Sequence, residues 1–156
     1  MFREMRRKDR EKSPEEARRI LRDAKNGTVS VMLENGYPYG VPISYVFEDD
    51  AIYFHSANAG QKYDALLQSP KVCFSVVGKD EPQPGKFATH YNSAIAFGTA
   101  SLVEDEREIN HVLRLIAPKY TPAASPESLQ EYTQARVGKF CVFKIKIEHL
   151  TGKGNA

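Results

Sequence analysis

The sequence predicts a mainly β domain, a six-stranded antiparallel barrel with peripheral α-helices, on three observations. Six segments read as strands, and those over 28–33 and 140–147 alternate with the period of a half-buried strand. The first three are joined by turn-length connections. The helical patterns read as peripheral elements around a small antiparallel barrel. With 156 residues and no internal repeat, the chain reads as one domain over 1–156 with its own core. A polar arm over 1–12 precedes it, and a Gly-containing tail over 151–156 is expected to be loose.

Ser13-Pro14-Glu15-Glu16 starts the first helix, with Ser as cap, Pro in the first turn and acids at the positive dipole end. Ala17, Ile20, Leu21 and Ala24 mark its apolar face, and Asn26-Gly27 stops it. Strands follow over 28–33, 40–47 and 51–56, read as a meander whose second turn is Glu48-Asp49-Asp50. Pro42 cannot donate to a ladder, so its strand belongs at an edge or a bulge. A helix opens near Gly60 and ends before Pro70, and a fourth strand runs over 71–77. Residues 78–85 carry too much Pro, Gly and charge for regular structure and read as a loop. An aromatic, hydroxyl-rich stretch over 87–93 then leads into the fifth strand, 94–103. Ile109, Val112, Leu113 and Ile116 form a helical stripe closed by Pro118, and Ser125-Pro126-Glu127 opens another helix with Leu129, Tyr132 and Val137 on its apolar side. Both read as packing elements. The sixth strand covers 140–147.

Composition excludes several function classes. A formal charge of +2 gives little reason to expect a nucleic-acid partner. The apolar runs are too short to cross a bilayer and no secretory signal is visible, so a cytoplasmic setting is expected. Cys73 and Cys141 fall inside strand patterns without Cys-x-x-Cys spacing, and no pair of histidines has metal-ligand spacing, so no metal is expected. No Ser, His and Asp set suggests a hydrolase.

The stretch with chemistry is Asn58-Ala59-Gly60-Gln61-Lys62. The first amides of a helix have no partner within it, Gly60 lets the backbone approach a ligand closely, and Lys62 adds a positive charge, which together suit a phosphate. On local grounds alone the same residues better suit a solvated lysine beside an ordinary Asn58 cap. His55 is the one residue of this region whose type titrates near neutral pH.

Tyr53-Phe54-His55-Ser56, the spacer to Gly60-Gln61-Lys62, the helix end at Ser69-Pro70 and the strand Val72-Cys73-Phe74-Ser75-Val76 resemble the flavin-binding split-barrel superfamily that includes pyridoxamine 5'-phosphate oxidase. Within it, the sequence most resembles the 5-nitroimidazole-resistance family. The likeness includes the opening 5–10, Gly36-Tyr37-Pro38-Tyr39-Gly40-Val41-Pro42, Ser93-Ala94-Ile95-Ala96-Phe97-Gly98 and Glu148-His149-Leu150-Thr151-Gly152-Lys153. It implies a split barrel whose copies pair along the barrel sides into a homodimer, with FMN in the cleft between them. Residue by residue it implies that backbone and side chains of Pro42, Ile43, Ser44 and Tyr45 flank the flavin, with His55 and Ser56 on the adjacent strand. Gly60, Gln61 and Lys62 would hold the phosphate, and Phe87, Thr89 and Ser93 would reach the cofactor from the partner subunit. The same three residues also suit an aromatic wedge at the dimer contact. Gln61 stands where pyridoxamine-phosphate oxidases have Arg, which removes one bidentate contact.

The implied activity is that of an FMN-dependent oxidoreductase taking electrons from NAD(P)H to an electron-poor small molecule, nitroaromatics being the implied class, with His55 as proton donor. Two alternatives accompany it. A pyridoxamine 5'-phosphate oxidase is disfavoured because no basic substrate-binding segment is recognisable over 139–156, and a flavin-binding module without turnover is the other.

Overall fold

The computed structural model describes residues 1–135 and 138–156; Val137, assigned by the sequence to the last helix, lies outside them. A single turn of 3₁₀ helix (Lys8–Arg10) precedes α1 (Pro14–Asp23), β1 (Gly27–Met32), β2 (Pro38–Ile43), β3 (Val46–Glu48), β4 (Ala51–Ala57) and α2 (Gln61–Gln68). Then come β5 (Lys71–Gln83), β6 (Ala88–Leu102), α3 (Glu106–Tyr120), α4 (Pro126–Ala135) and β7 (Phe140–Gly154). The strands form one antiparallel sheet in the order β2-β1-β5-β6-β7-β4-β3.

The sheet has seven strands where the sequence predicts six, because the stretch over 40–47 divides at Ser44-Tyr45. Its first half pairs with β1 and its second with β4, so the predicted meander is split between the two edges of the sheet. Three peptide steps from Ile43 to Val46 span at most about 11 Å. The two edges must therefore lie close together, which rolls the sheet into a barrel open along this seam. Pro42 does lie on an edge strand, where its missing N–H is tolerated.

Three further expectations are corrected. The segment 78–85 is not a loop throughout: Lys79–Gln83 pairs with Ala88–Asn92 after an irregularity between Val77 and Lys79. β1 pairs only as far along β5 as Val76, so Pro82 also sits where a missing donor costs little. The tail is not loose, since β7 runs to Gly154. A Cβ on Gly154 would meet the Tyr91 carbonyl at 2.3 Å, and one on Gly152 would lie 3.0 Å from Ala17 Cβ. These glycines serve close approach, not flexibility. Finally, α3 continues through Pro118 to Tyr120 and closes with Thr121 N–H donating to the Ala117 carbonyl at 2.7 Å.

The N-terminus of α1 forms the expected capping box between Ser13 and Glu16. Inside the barrel, Val29, Ile52, Phe54, Phe74, Phe143 and Ile145 are fully buried with Leu21 of α1 and Leu66 of α2. A second core lies outside it, where Val112 of α3 packs on Val46, Ala51, Tyr53 and Val142. β4 is thus covered on both faces, and α3 stands over its outer one.

Candidate functional site

Strand alternation sorts the predicted site residues. In β4, Ile52 and Phe54 belong to the inner core and Ala51 and Tyr53 to the outer one. Ser56, 4% exposed, falls on the inner side and His55 on the outer. The two cannot present side chains to one face of a ligand. The same parity places Tyr45 inside with Val41, Ile43 and Phe47. Its hydroxyl donates to the Leu21 carbonyl, and its ring meets Phe74 edge-on at 4.8 Å. Burial raises its pKa. The Tyr45 side chain is therefore core and is not available to a cofactor, a correction that the alternation of apolar residues over 41–47 already contains.

Ser44 and His55 come together on a cavity of about 380 Å³ between the barrel and the two helices. Leu113, Ile116 and Ala117 of α3 form one wall, Leu129 and Tyr132 of α4 another, and Phe140 the floor beside His55. The His55 and Phe140 rings meet at 6.0 Å in an edge-on arrangement. Sequence reasoning missed the helical contribution because stripes of Leu, Ile and Val at helical spacing carry no sign of what they cover. The one hint was α4, too poor in large apolar residues to be a core helix. A larger hollow of about 790 Å³ between α3 and α4 holds Glu106 and Arg114 and touches none of the predicted site residues.

Tyr120 ends α3 against the seam. Its hydroxyl accepts the Tyr45 N–H at 2.9 Å and reaches the carbonyls of Tyr45 and Lys25. Burial raises its pKa, with the Tyr45 backbone contact opposing. The preceding Lys119 places Nζ 3.9 Å from the centre of the Tyr45 ring, and burial lowers its pKa to about 8 while Asp23 pulls the other way.

At the start of α2, Gly60 has φ +109° and no side chain caps the helix. Asp64 N–H is the first to bond within it, to the Gly60 carbonyl at 3.0 Å, which leaves the amides of Gln61, Lys62 and Tyr63 for an external acceptor. Asn58 is not the cap, since its side chain donates to the Gly138 carbonyl at 3.2 Å. Lys62 is half-buried, its Nζ 6.0 Å from the Phe54 ring centre, and among the described residues no carboxylate pairs with it. The donor set fits a phosphate.

Phe87, Thr89 and Ser93 are not brought to this place within one chain. Ser93 pairs with Val77 and Lys153, whereas the end of the sheet that carries α2 is marked by Lys71 and Phe140. From Ser93 to Leu102 the strand advances about 30 Å. Phe87 lies further still, fully exposed at the tip of the β5–β6 hairpin with φ +46°. Pro42 is exposed on its edge, and the half-buried Ile43 packs against the inner core, so only its backbone faces a ligand.

A family model described as pyridoxamine 5'-phosphate oxidase matches residues 13–154. No curated protein matches the chain. Among solved structures, a Bacteroides thetaiotaomicron protein named for 5-nitroimidazole antibiotic resistance is 24% identical, with TM-score 0.74 over 91% of this chain and 84% of that one. An FAD-binding protein of Mesorhizobium loti is 21% identical, with TM-score 0.69 over 94% and 98%. A conserved hypothetical protein of Mycobacterium tuberculosis reaches TM-score 0.80 at 18% identity over 97% and 90%. At these identities the likeness lies in the fold.

Proposed function

The chain belongs to the pyridoxamine 5'-phosphate oxidase family, and from that premise we propose that it is an FMN-dependent oxidoreductase that passes electrons from NAD(P)H to electron-poor small molecules such as nitroaromatics. The observation that carries this reading is the uncapped start of α2 with the unpaired Lys62 beside it. Three free amides and an ammonium group at one helix end suit a terminal phosphate monoester. A bound flavin would supply two-electron acceptance and release. The protein's own part is to bind the phosphate at 61–63, orient the ring by the backbone of Ile43 and Ser44, and hold a proton on the His55 imidazole for the acceptor.

A homodimer belongs to the reading. Phe87, Thr89 and Ser93 stand at the opposite end of the sheet from α2, so they would complete a site only on a second copy. The partly exposed Ile95 and Phe97 on the outer face of β6 offer apolar surface for pairing. Turnover of pyridoxamine 5'-phosphate is not expected. The segment 140–154 is built into β7 instead of standing free as a basic substrate-binding loop.

Titration of the purified protein with FMN, FAD and riboflavin, followed by anaerobic reduction with NADH or NADPH and reoxidation by a nitroaromatic, tests the proposal. FMN is expected to bind at least about tenfold more tightly than riboflavin, which lacks the phosphate. The FAD of the Mesorhizobium loti protein's name makes the FMN-to-FAD comparison part of the test. Absence of flavin binding, or equal affinity for FMN and riboflavin, overturns it.

A further inference from the structure

We propose that the cavity roofed by α3 and α4 is the acceptor site and that it selects an uncharged, predominantly apolar aromatic molecule, an inference that rests on a flavin lying beside His55. At about 380 Å³ the cavity falls in the size range of small-molecule sites. A dry cavity of about 150 Å³ accepts benzene, so this one has room for a substituted ring.

Selectivity follows from what the lining has left to offer. Among the described residues, no Lys, Arg, Asp or Glu lines the cavity. It carries several hydroxyls, but most have committed their protons inside the protein. Thr121 donates to the Ala117 carbonyl at 2.9 Å, Thr133 to Leu129 at 2.8 Å and Ser128 to Ser125 at 3.0 Å, while Tyr120 serves the seam. A carboxylate or phosphate entering here would lose its water and find, among the described residues, no Lys or Arg, the His55 imidazole being its one counter-charge when protonated. A neutral ring loses little water and gains contact with Leu113, Ile116, Leu129 and Phe140. The charged groups Glu106 and Arg114 line only the adjoining hollow, which shares Leu113, Ala117 and Leu129 with this cavity. Access is also built in, because α4 has no buried residue and so is held to the barrel by few packed side chains.

The test uses two probes of similar size, 4-nitrobenzyl alcohol and 4-nitrobenzoate, in equilibrium dialysis against the FMN-loaded protein. The alcohol is expected to bind at least tenfold more tightly. Ala117→Arg should weaken the alcohol at least tenfold and narrow or reverse that preference. Leu129→Arg, on the weakly held α4, is the second variant and should act in the same sense if Ala117→Arg disturbs folding. Equal binding of the two probes, a preference for the carboxylate, or unchanged selectivity in a folded variant overturns the proposal. If the parent fails to bind FMN, the flavin reading falls separately. The discrimination between the probes, measured on flavin-free protein, then still decides the chemistry of the cavity.

Discussion

Tyr120 Oη receives the Tyr45 N–H at 2.9 Å, so the end of α3 supplies the hydrogen bond that the sheet cannot give at its seam. Tyr120→Phe leaves that part-buried amide without its partner. The expected cost is about 1–3 kcal/mol, seen as a lower urea midpoint with an unchanged m-value. An unchanged midpoint would mean that water replaces the hydroxyl.

Lys119 gives the fold a pH signature. Burial lowers its pKa in the folded chain to about 8 from the ordinary lysine value of 10.5. Between those values the unfolded chain holds the proton and the folded chain does not, so stability rises with pH there. The penalty is fully present below about pH 8. The Tyr45 face opposes it by favouring the cation, and Asp23 does the same. Melting temperature should therefore climb between pH 8 and 10 in the parent and stay flatter in Lys119→Met. A parent curve as flat as the variant's would remove Lys119 as its source.

Lys62→Ala should weaken FMN binding by about 1–3 kcal/mol and leave riboflavin binding nearly unchanged, because the ammonium acts on the phosphate alone. Fluorescence titration of both ligands reads the difference. Equal losses for the two flavins would show that Lys62 supports the site through packing, over Phe54, and not through charge.

His55→Gln preserves size and hydrogen-bonding capacity but not the ability to give up a proton from a cation. FMN affinity should change little, while reoxidation by a saturating nitroaromatic after anaerobic reduction slows by about tenfold to a thousandfold. Reduction by the nicotinamide should suffer less. A variant with an unchanged reoxidation rate would reduce His55 to a wall of the cavity next to Phe140.

Much of the barrel was legible because its strands obey a period of two, and the face of every residue over 51–56 follows from that alone. Helix starts were legible where a side chain caps them, as Ser13 does. What could not be read depended on distant partners. The pairing of 79–83 with 88–92 and of 151–154 with the far half of β6 overrides a composition that locally argues against strand. The break at Ser44-Tyr45 follows from where β1 and β4 lie, not from the residues themselves. At the site, Gly60-Gln61-Lys62 could be read locally, since a helix start is a local event. The walls contributed by α3 and α4 could not, because they depend on how a helix some sixty residues away is laid across β4.

The two-residue seam also constrains how the protein comes apart. In an open sheet the two outermost strands fray independently, and each can expose its backbone while the other stays paired. Here the outermost strands are consecutive in the chain, tethered through Ser44 and Tyr45, and the tether is pinned by the Tyr120 hydroxyl on its backbone and by the buried Tyr45 side chain. Loosening β3 slackens the anchor of β2, so the β1–β2 and β3–β4 ladders should open as one cooperative unit with matching amide exchange. Ser44, which lines the cavity, would be displaced in the same event, which links opening of the seam with the lifetime of the site.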